Sequence, residues 1–152
     1  MSTGPGRPAV STGPERLAVR MAPVTRTVLL YSDKPEVRDR MRLAVGARPA
    51  PELAVQFVDA ASYHECVSLV DTYEIDLLLL DGEAQPAGGL GVARQLRDEL
   101  AECPPICVVI ARPADRWLAA YAEADATLVH PLDPITTGQT IAGLLSRSTT
   151  AA

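Results

Sequence analysis

Ile75-Asp76-Leu77-Leu78-Leu79-Leu80-Asp81, followed at once by Gly82 and a loop running to Gly89, is the stretch whose reading decides the fold. A run that is apolar at consecutive positions offers hydrophobic side chains to both faces of a sheet. It predicts a central parallel strand covered by helices on each side. Asp81, at its C-terminal end, then stands at the rim where open α/β sheets place their ligands. The structural alternative is a carboxylate that only caps the next turn. A second strand favours the functional reading: Val28-Leu29-Leu30-Tyr31-Ser32 is followed by Asp33, and Pro35 opens a helix where a proline is tolerated. Two carboxylates on two strand ends of one sheet can share a hard cation or a phosphoryl group.

Outward from these two strands, strand and helix patterns alternate five times. Strands are expected at about 27–32, 53–58, 75–80, 106–110 and 126–129, with helices at about 35–45, 62–73, 89–100, 114–123 and 134–145. The helical spacing turns Val37, Met41, Ala44 and Val45 inward, then Cys66, Leu69, Val70 and Tyr73, then Ala93, Leu96 and Leu100, and finally Ile135, Ile141, Leu144 and Leu145. Pro104-Pro105 separates the third helix from the fourth strand. Five βα units predict an α/β fold: a flavodoxin-like (βα)5 doubly wound parallel sheet with right-handed crossovers and strand order 2-1-3-4-5. Its switch point lies between strands one and three, the strands that lead into Asp33 and Asp81.

Composition narrows the function classes. The 152 residues are one domain's worth, and one Trp and one Phe leave the core to Leu, Val, Ile and Ala. Residues 1–25 are rich in Gly and Pro without a hydrophobic period and are expected to be a disordered tail. Residues 26–146 form the domain, and 147–152 are expected to be a short C-terminal tail. The first tail has Arg7, Arg16 and Arg20 against Glu15, a balance of +2, so the rest of the chain holds −7 of the overall −5. That balance gives no support for nucleic-acid binding. Cys66, Cys103 and Cys107 are odd in number and lack zinc-site spacing, so they read as reduced thiols of a cytoplasmic protein. No stretch approaches a membrane span or a signal-peptide core.

From about residue 26 to 146 the chain resembles the receiver domains of two-component response regulators. The resemblance rests on Leu-Leu-Leu-Leu-Asp81-Gly-Glu83, on Gly89-Leu90-Gly91-Val92-Ala93-Arg94-Gln95-Leu96-Arg97, and on Val129-His130-Pro131-Leu132 at the position of the family's Lys-Pro motif. It implies that Asp81 is the candidate phosphoacceptor and that His130 stands at the family's lysine. It also implies that Mg²⁺ would be held by Asp33, Asp81 and the backbone carbonyl of Glu83. The implied partners are proteins, a histidine kinase or a downstream target, with homodimerisation through the helix 4–strand 5–helix 5 face, where Arg116, Trp117 and Tyr121 form a candidate contact patch.

The departures from the family pattern bear on function. The acid pair reads Ser32-Asp33, which lowers the expected affinity for Mg²⁺. His130 is shorter than a lysine and only partly charged at neutral pH. The hydroxyl of strand four falls on Ile110, or on Ala111 if the register slips by one, and neither carries one. The aromatic switch of strand five falls on Thr127, and the proline of the loop after strand three is displaced from Gln85 to Pro86. Together these changes remove the parts that sense a phosphoryl group while keeping the residue that would carry it. The expectation is an atypical receiver that acts by binding another protein, with phosphorylation lost. The alternative is a phosphoacceptor using Asp81 and Mg²⁺ with a non-standard switch. A flavin or cobalamin site is disfavoured, because Ser32-Asp33-Lys34-Pro35 is not a hydroxyl-rich phosphate loop and no Asp-x-His-x-x-Gly run occurs. Only 22 residues follow His130, so an output domain is not expected within this chain.

Overall fold

Five strands pair in parallel in the order β2-β1-β3-β4-β5, as the alternation predicts, in a computed structural model that describes residues 23–151. The elements in chain order are β1 (Val24–Tyr31), α1 (Pro35–Val45), β2 (Leu53–Ala60), α2 (Tyr63–Thr72), β3 (Leu77–Asp81), α3 (Gly89–Glu99), β4 (Ile106–Ile110), a 3₁₀ turn (Pro113–Asp115), α4 (Arg116–Tyr121), β5 (Ala126–Val129) and α5 (Pro134–Ala151). Regular structure runs past both of the expected domain boundaries, since β1 starts at Val24 and α5 ends at Ala151. The greater part of the expected N-terminal tail, residues 1–22, and residue 152 lie outside the described residues.

The central strand explains the layering. Every residue of β3 is buried, and alternate leucines feed opposite cores. Leu77 and Leu79 join Val28, Leu30, Cys107 and Val109 against Val37, Met41 and Val45 of α1 and Ile141, Leu144 and Leu145 of α5. Leu78 and Leu80 join Leu29, Tyr31, Val108 and Ile110 against Cys66 of α2 and Val92, Ala93 and Leu96 of α3. Each fully buried leucine contributes about 1.5–3 kcal/mol of transfer free energy, so the two layers account for the strand's consecutive apolar run.

Several helical and strand residues depart from the pattern. Asp76 lies outside β3, and its Oδ2 accepts a hydrogen bond from the Thr27 amide at 2.8 Å. Ile135, expected inside, is exposed, because α5 begins at the rim and only its later turns reach the core. Tyr73 is exposed as well, since it is the cap that ends α2 in extended backbone. Trp117 and Tyr121 stand in solvent on one side of α4, while Ala119 is the buried residue of that short helix.

Candidate functional site

The registry of the sheet brings the candidate residues to one end. Tyr31 pairs with Leu80 and Asp81 with Val109, so β1, β3 and β4 finish side by side. The chain then turns sharply. The Gly82 amide donates to the Val109 carbonyl at 2.7 Å, and a β-carbon on Gly82 would come within 2.8 Å of that same oxygen. Only glycine lets the loop after β3 approach β4 so closely.

Asp81 is 2% exposed, and the chain itself satisfies its carboxylate. Oδ2 accepts from the Ser32 hydroxyl at 2.7 Å, and Oδ1 accepts from the Glu83 amide at 2.9 Å. The Nε2 of His130 stands 3.9 Å from Oδ1, an ion-pair distance when the ring is protonated but too long for a hydrogen bond. Ser32 is completely buried and also accepts from the Lys34 amide at 3.1 Å, so its hydroxyl ties the start of α1 to Asp81. The Ser32 carbonyl is in turn held by Arg38 Nη1, and Arg38 and Arg42 together clasp Asp59 at the end of β2.

Asp33 faces a different group. Its Oδ1 accepts from the Gln85 amide at 2.9 Å, pinning the loop after β3, and its Oδ2 lies 3.6 Å from Lys34 Nζ. The peptides Gln85-Pro86 and His130-Pro131 on the two flanking loops are both cis. Ile110 is fully buried at the end of β4 and Ala111 is exposed just beyond it, so no hydroxyl stands there, and the half-buried Thr127 of β5 puts no aromatic ring at its position. His64 is exposed in the first turn of α2 and is not among the residues lining the cleft beside Asp81.

A cleft of about 410 Å³ opens beside Asp81, lined by Lys34, Val37, Arg40, Asp81, Glu83, His130 and Pro131. Asp33 is not part of that lining. Lys34 and Arg40 are, and the sequence pattern alone did not single them out. Their signal was a spacing: Lys34, Val37 and Arg40 recur every third residue, which places them along one face of α1.

The arrangement can be tested as a metal site. Mg²⁺ requires near-octahedral oxygen ligation. Here Asp33 is committed to the Gln85 amide, and Asp81 to Ser32 and the Glu83 amide. Among the described residues no group of three His, Cys, Asp or Glu side chains is placed to hold a metal ion. Among the described residues the only buried side-chain polar atom without a partner is the Thr137 hydroxyl, in the first turn of α5. The hydroxyl of Ser32 stands where a further carboxylate would serve, so Asp33 and Asp81 are the two acids left to hold Mg²⁺ with the Glu83 carbonyl, a sparse set for that ion.

Electrostatics keep Asp81 ionised. Burial pushes its carboxyl towards the neutral form, but the His130 ring, the Glu83 amide and the Ser32 hydroxyl outweigh burial and hold it below the ordinary value. A carboxyl depressed in the fold contributes stability that is fully present above its unfolded value of about 4. That contribution is lost as pH falls through the lower folded value. Urea unfolding is therefore expected to show declining stability below about pH 4, with Asp81→Asn flattening that limb. Equal slopes in the two proteins would move the acid sensitivity to Asp59, which a hydrogen bond from Arg42 also holds low.

No protein-family model matches the chain. It is 46% identical over 119 residues to an uncharacterized response regulatory protein of Mycobacterium tuberculosis, in each of two strains, covering 78% of this chain and 90% of the relative. Among solved structures, a two-component response regulator of the LuxR family from Aurantimonas superposes with a TM-score of 0.68 at 25% identity, over 82% of this chain and 87% of that one. A CheY-like receiver domain protein from Methanospirillum hungatei gives a TM-score of 0.66 at 17% identity, over 85% of this chain and all of that one.

Proposed function

This chain belongs to the response-regulator receiver family, and from that premise we propose that it is a receiver module of two-component signalling that works by binding a protein partner, without depending on phosphorylation of Asp81. The observation that carries the proposal is the closed hydrogen bonding of the Asp81 carboxylate, in which Ser32 takes the place of an acid. A nucleophile is activated by a metal, a base or a free lone pair aimed at the substrate. Here one oxygen is tied to the Ser32 hydroxyl and the other to the Glu83 amide, with His130 Nε2 3.9 Å from the latter. The neighbours that would report a phosphoryl group are also missing at Ile110, Ala111 and Thr127.

The partner is a protein, a histidine kinase or a downstream target. The exposed aromatic pair Trp117 and Tyr121 on α4, with Arg94 stacked over the Tyr121 ring at 5.7 Å, supplies an amphipathic surface for such a contact or for a homodimer. No helix among the described residues is long and apolar enough to cross a membrane.

Intact-protein mass spectrometry after incubation with acetyl phosphate and Mg²⁺ tests the proposal, with Asp81→Ala in parallel. The expected outcome is an unchanged mass in both proteins. A phosphoryl increment in the wild type alone would replace this reading with that of a phosphoacceptor having an altered switch. The ionised carboxylate of Asp81, open to a cleft that contains Lys34, is the observation in favour of that second reading.

A further inference from the structure

We propose that Tyr31 and Asp33 form a latch that holds the 82–88 loop closed over Asp81, so that access to this carboxylate is set from the end of β1. The loop is held in two halves by different parts of the sheet. The Gly82 amide donates to the Val109 carbonyl at 2.7 Å, and the Glu83 and Ala84 amides donate to Oδ1 and the carbonyl oxygen of Asp81 at 2.9 and 3.2 Å. The first half thus rests on β3 and β4. The second half reaches across to β1: the Gln85 amide donates to Asp33 Oδ1 at 2.9 Å, and the Tyr31 hydroxyl donates to the Ala87 carbonyl. The ends of the loop meet, since a β-carbon on Gly88 would come within 2.8 Å of the Gly82 carbonyl oxygen. A short loop whose ends touch is a unit that can swing as one piece.

Tyr31 is the part of the latch that packing alone does not explain. Its ring is 1% exposed in the core layer shared with α2 and α3, where a hydrocarbon side chain would fill the same space. A buried phenol needs a partner for its hydroxyl, and this one finds it on the loop. Burial, reinforced by Cys66, Asp33 and Asp81, pushes its pKa up from the ordinary 10, so the hydroxyl stays a donor through the neutral range. The loop answers by dropping Ala84 into that core and Ala87 against it, while Glu83, Gln85 and Pro86 face solvent. Lifting the loop would strip the Tyr31 hydroxyl and the Asp33 carboxylate of their partners together. It would also take the Glu83 amide from Asp81, which is 2% exposed with the loop closed. The latch goes beyond the reading above, because it holds whether or not Asp81 accepts a phosphoryl group, and a phosphoryl increment would leave it standing.

The test is native-state hydrogen exchange of the full chain, followed by NMR, on the wild type, Tyr31→Phe, Asp33→Ala and Tyr63→Phe. Phenylalanine keeps the ring of Tyr31 and removes only the donor, so the Ala87 carbonyl regains a partner only by opening to water. The expected result is about tenfold faster exchange of both the Glu83 and Gln85 amides, the loss of one hydrogen bond, although neither is bonded to Tyr31. Asp33→Ala is expected to speed the Glu83 amide as well, though that amide is bonded to Asp81. Tyr63 is the control. Its hydroxyl bonds Glu99 between α2 and α3 and involves no loop residue. Losing that bond destabilises the closed and open forms alike, so Tyr63→Phe is expected to leave both loop amides at the wild-type rate. Unchanged loop amides in Tyr31→Phe, acceleration of Gln85 without Glu83, or acceleration of both in Tyr63→Phe would overturn the proposal. In the last case the loop opens only with the whole domain, and there is no latch.

Discussion

Ser32→Asp is expected to lose about 3 kcal/mol of stability in the presence of a chelator and to recover most of it when Mg²⁺ is added. The position is completely buried, and its hydroxyl is the donor to Asp81 Oδ2. An aspartate there has no proton to give at neutral pH and sets a second negative charge beside the first. Two such carboxylates must share a proton or recruit a counter-ion. With Asp33 nearby, the restored acid pair supplies the ligand that the natural chain lacks. Binding at a hundredfold excess over Kd contributes about 2.7 kcal/mol, comparable to the expected loss. Urea midpoints for both proteins, in EDTA and in Mg²⁺, give a direct reading. The natural chain should be indifferent to the ion and the variant dependent on it. A midpoint that rises with Mg²⁺ in the natural chain would defeat the account of the donor set given above.

Gly89→Ala should be nearly as damaging, for a steric reason. A β-carbon at this position would lie 2.7 Å from the Asp81 carbonyl oxygen, 2.8 Å from its carbon and 3.0 Å from the Leu80 β-carbon. Two of those three neighbours are backbone, so no side-chain rotation relieves the clash. The start of α3 would have to move away from β3. Overpacking of this kind costs up to about 3 kcal/mol, which for a chain of this size lowers Tm by about 10 °C. Gly91 provides the control from the same helix, since nothing lies within 4 Å of a β-carbon there. Gly91→Ala is expected to stabilise by up to about 1 kcal/mol through helix propensity. Calorimetry on the two variants would separate steric clash from propensity, and a stable Gly89→Ala protein would mean that α3 is not seated against Asp81 as described.

Much of this architecture was legible because it depends on periodicity. The leucine run of β3 can be read as two-sided without knowing its partners, and the switch between strands one and three follows from counting βα units. Ends and exposed helix faces were less legible. Ile135 and Tyr73 have the right helical phase, but one sits before α5 reaches the core and the other after α2 has finished, facts that only packing decides. At the site, Asp81, Asp33, Glu83 and His130 come to one rim, yet sequence did not say which atoms they would face. The turn of Asp33 to the Gln85 amide depends on the path of a loop, and the arrival of Lys34 and Arg40 at the cleft depends on the rotation of α1. Neither leaves more than a spacing in the chain.

The placement of Asp81 at the end of β3 also has a kinetic consequence. This strand is hydrogen-bonded between β1 and β4 and buried on both faces, so its amides should exchange with solvent only when the whole domain opens. Asp81 is thus anchored to the slowest-moving part of the molecule, while Lys34, the 82–88 loop and His130-Pro131 belong to its rim. Whatever event the site registers must then be expressed as rearrangement of those three connections around a stationary carboxylate.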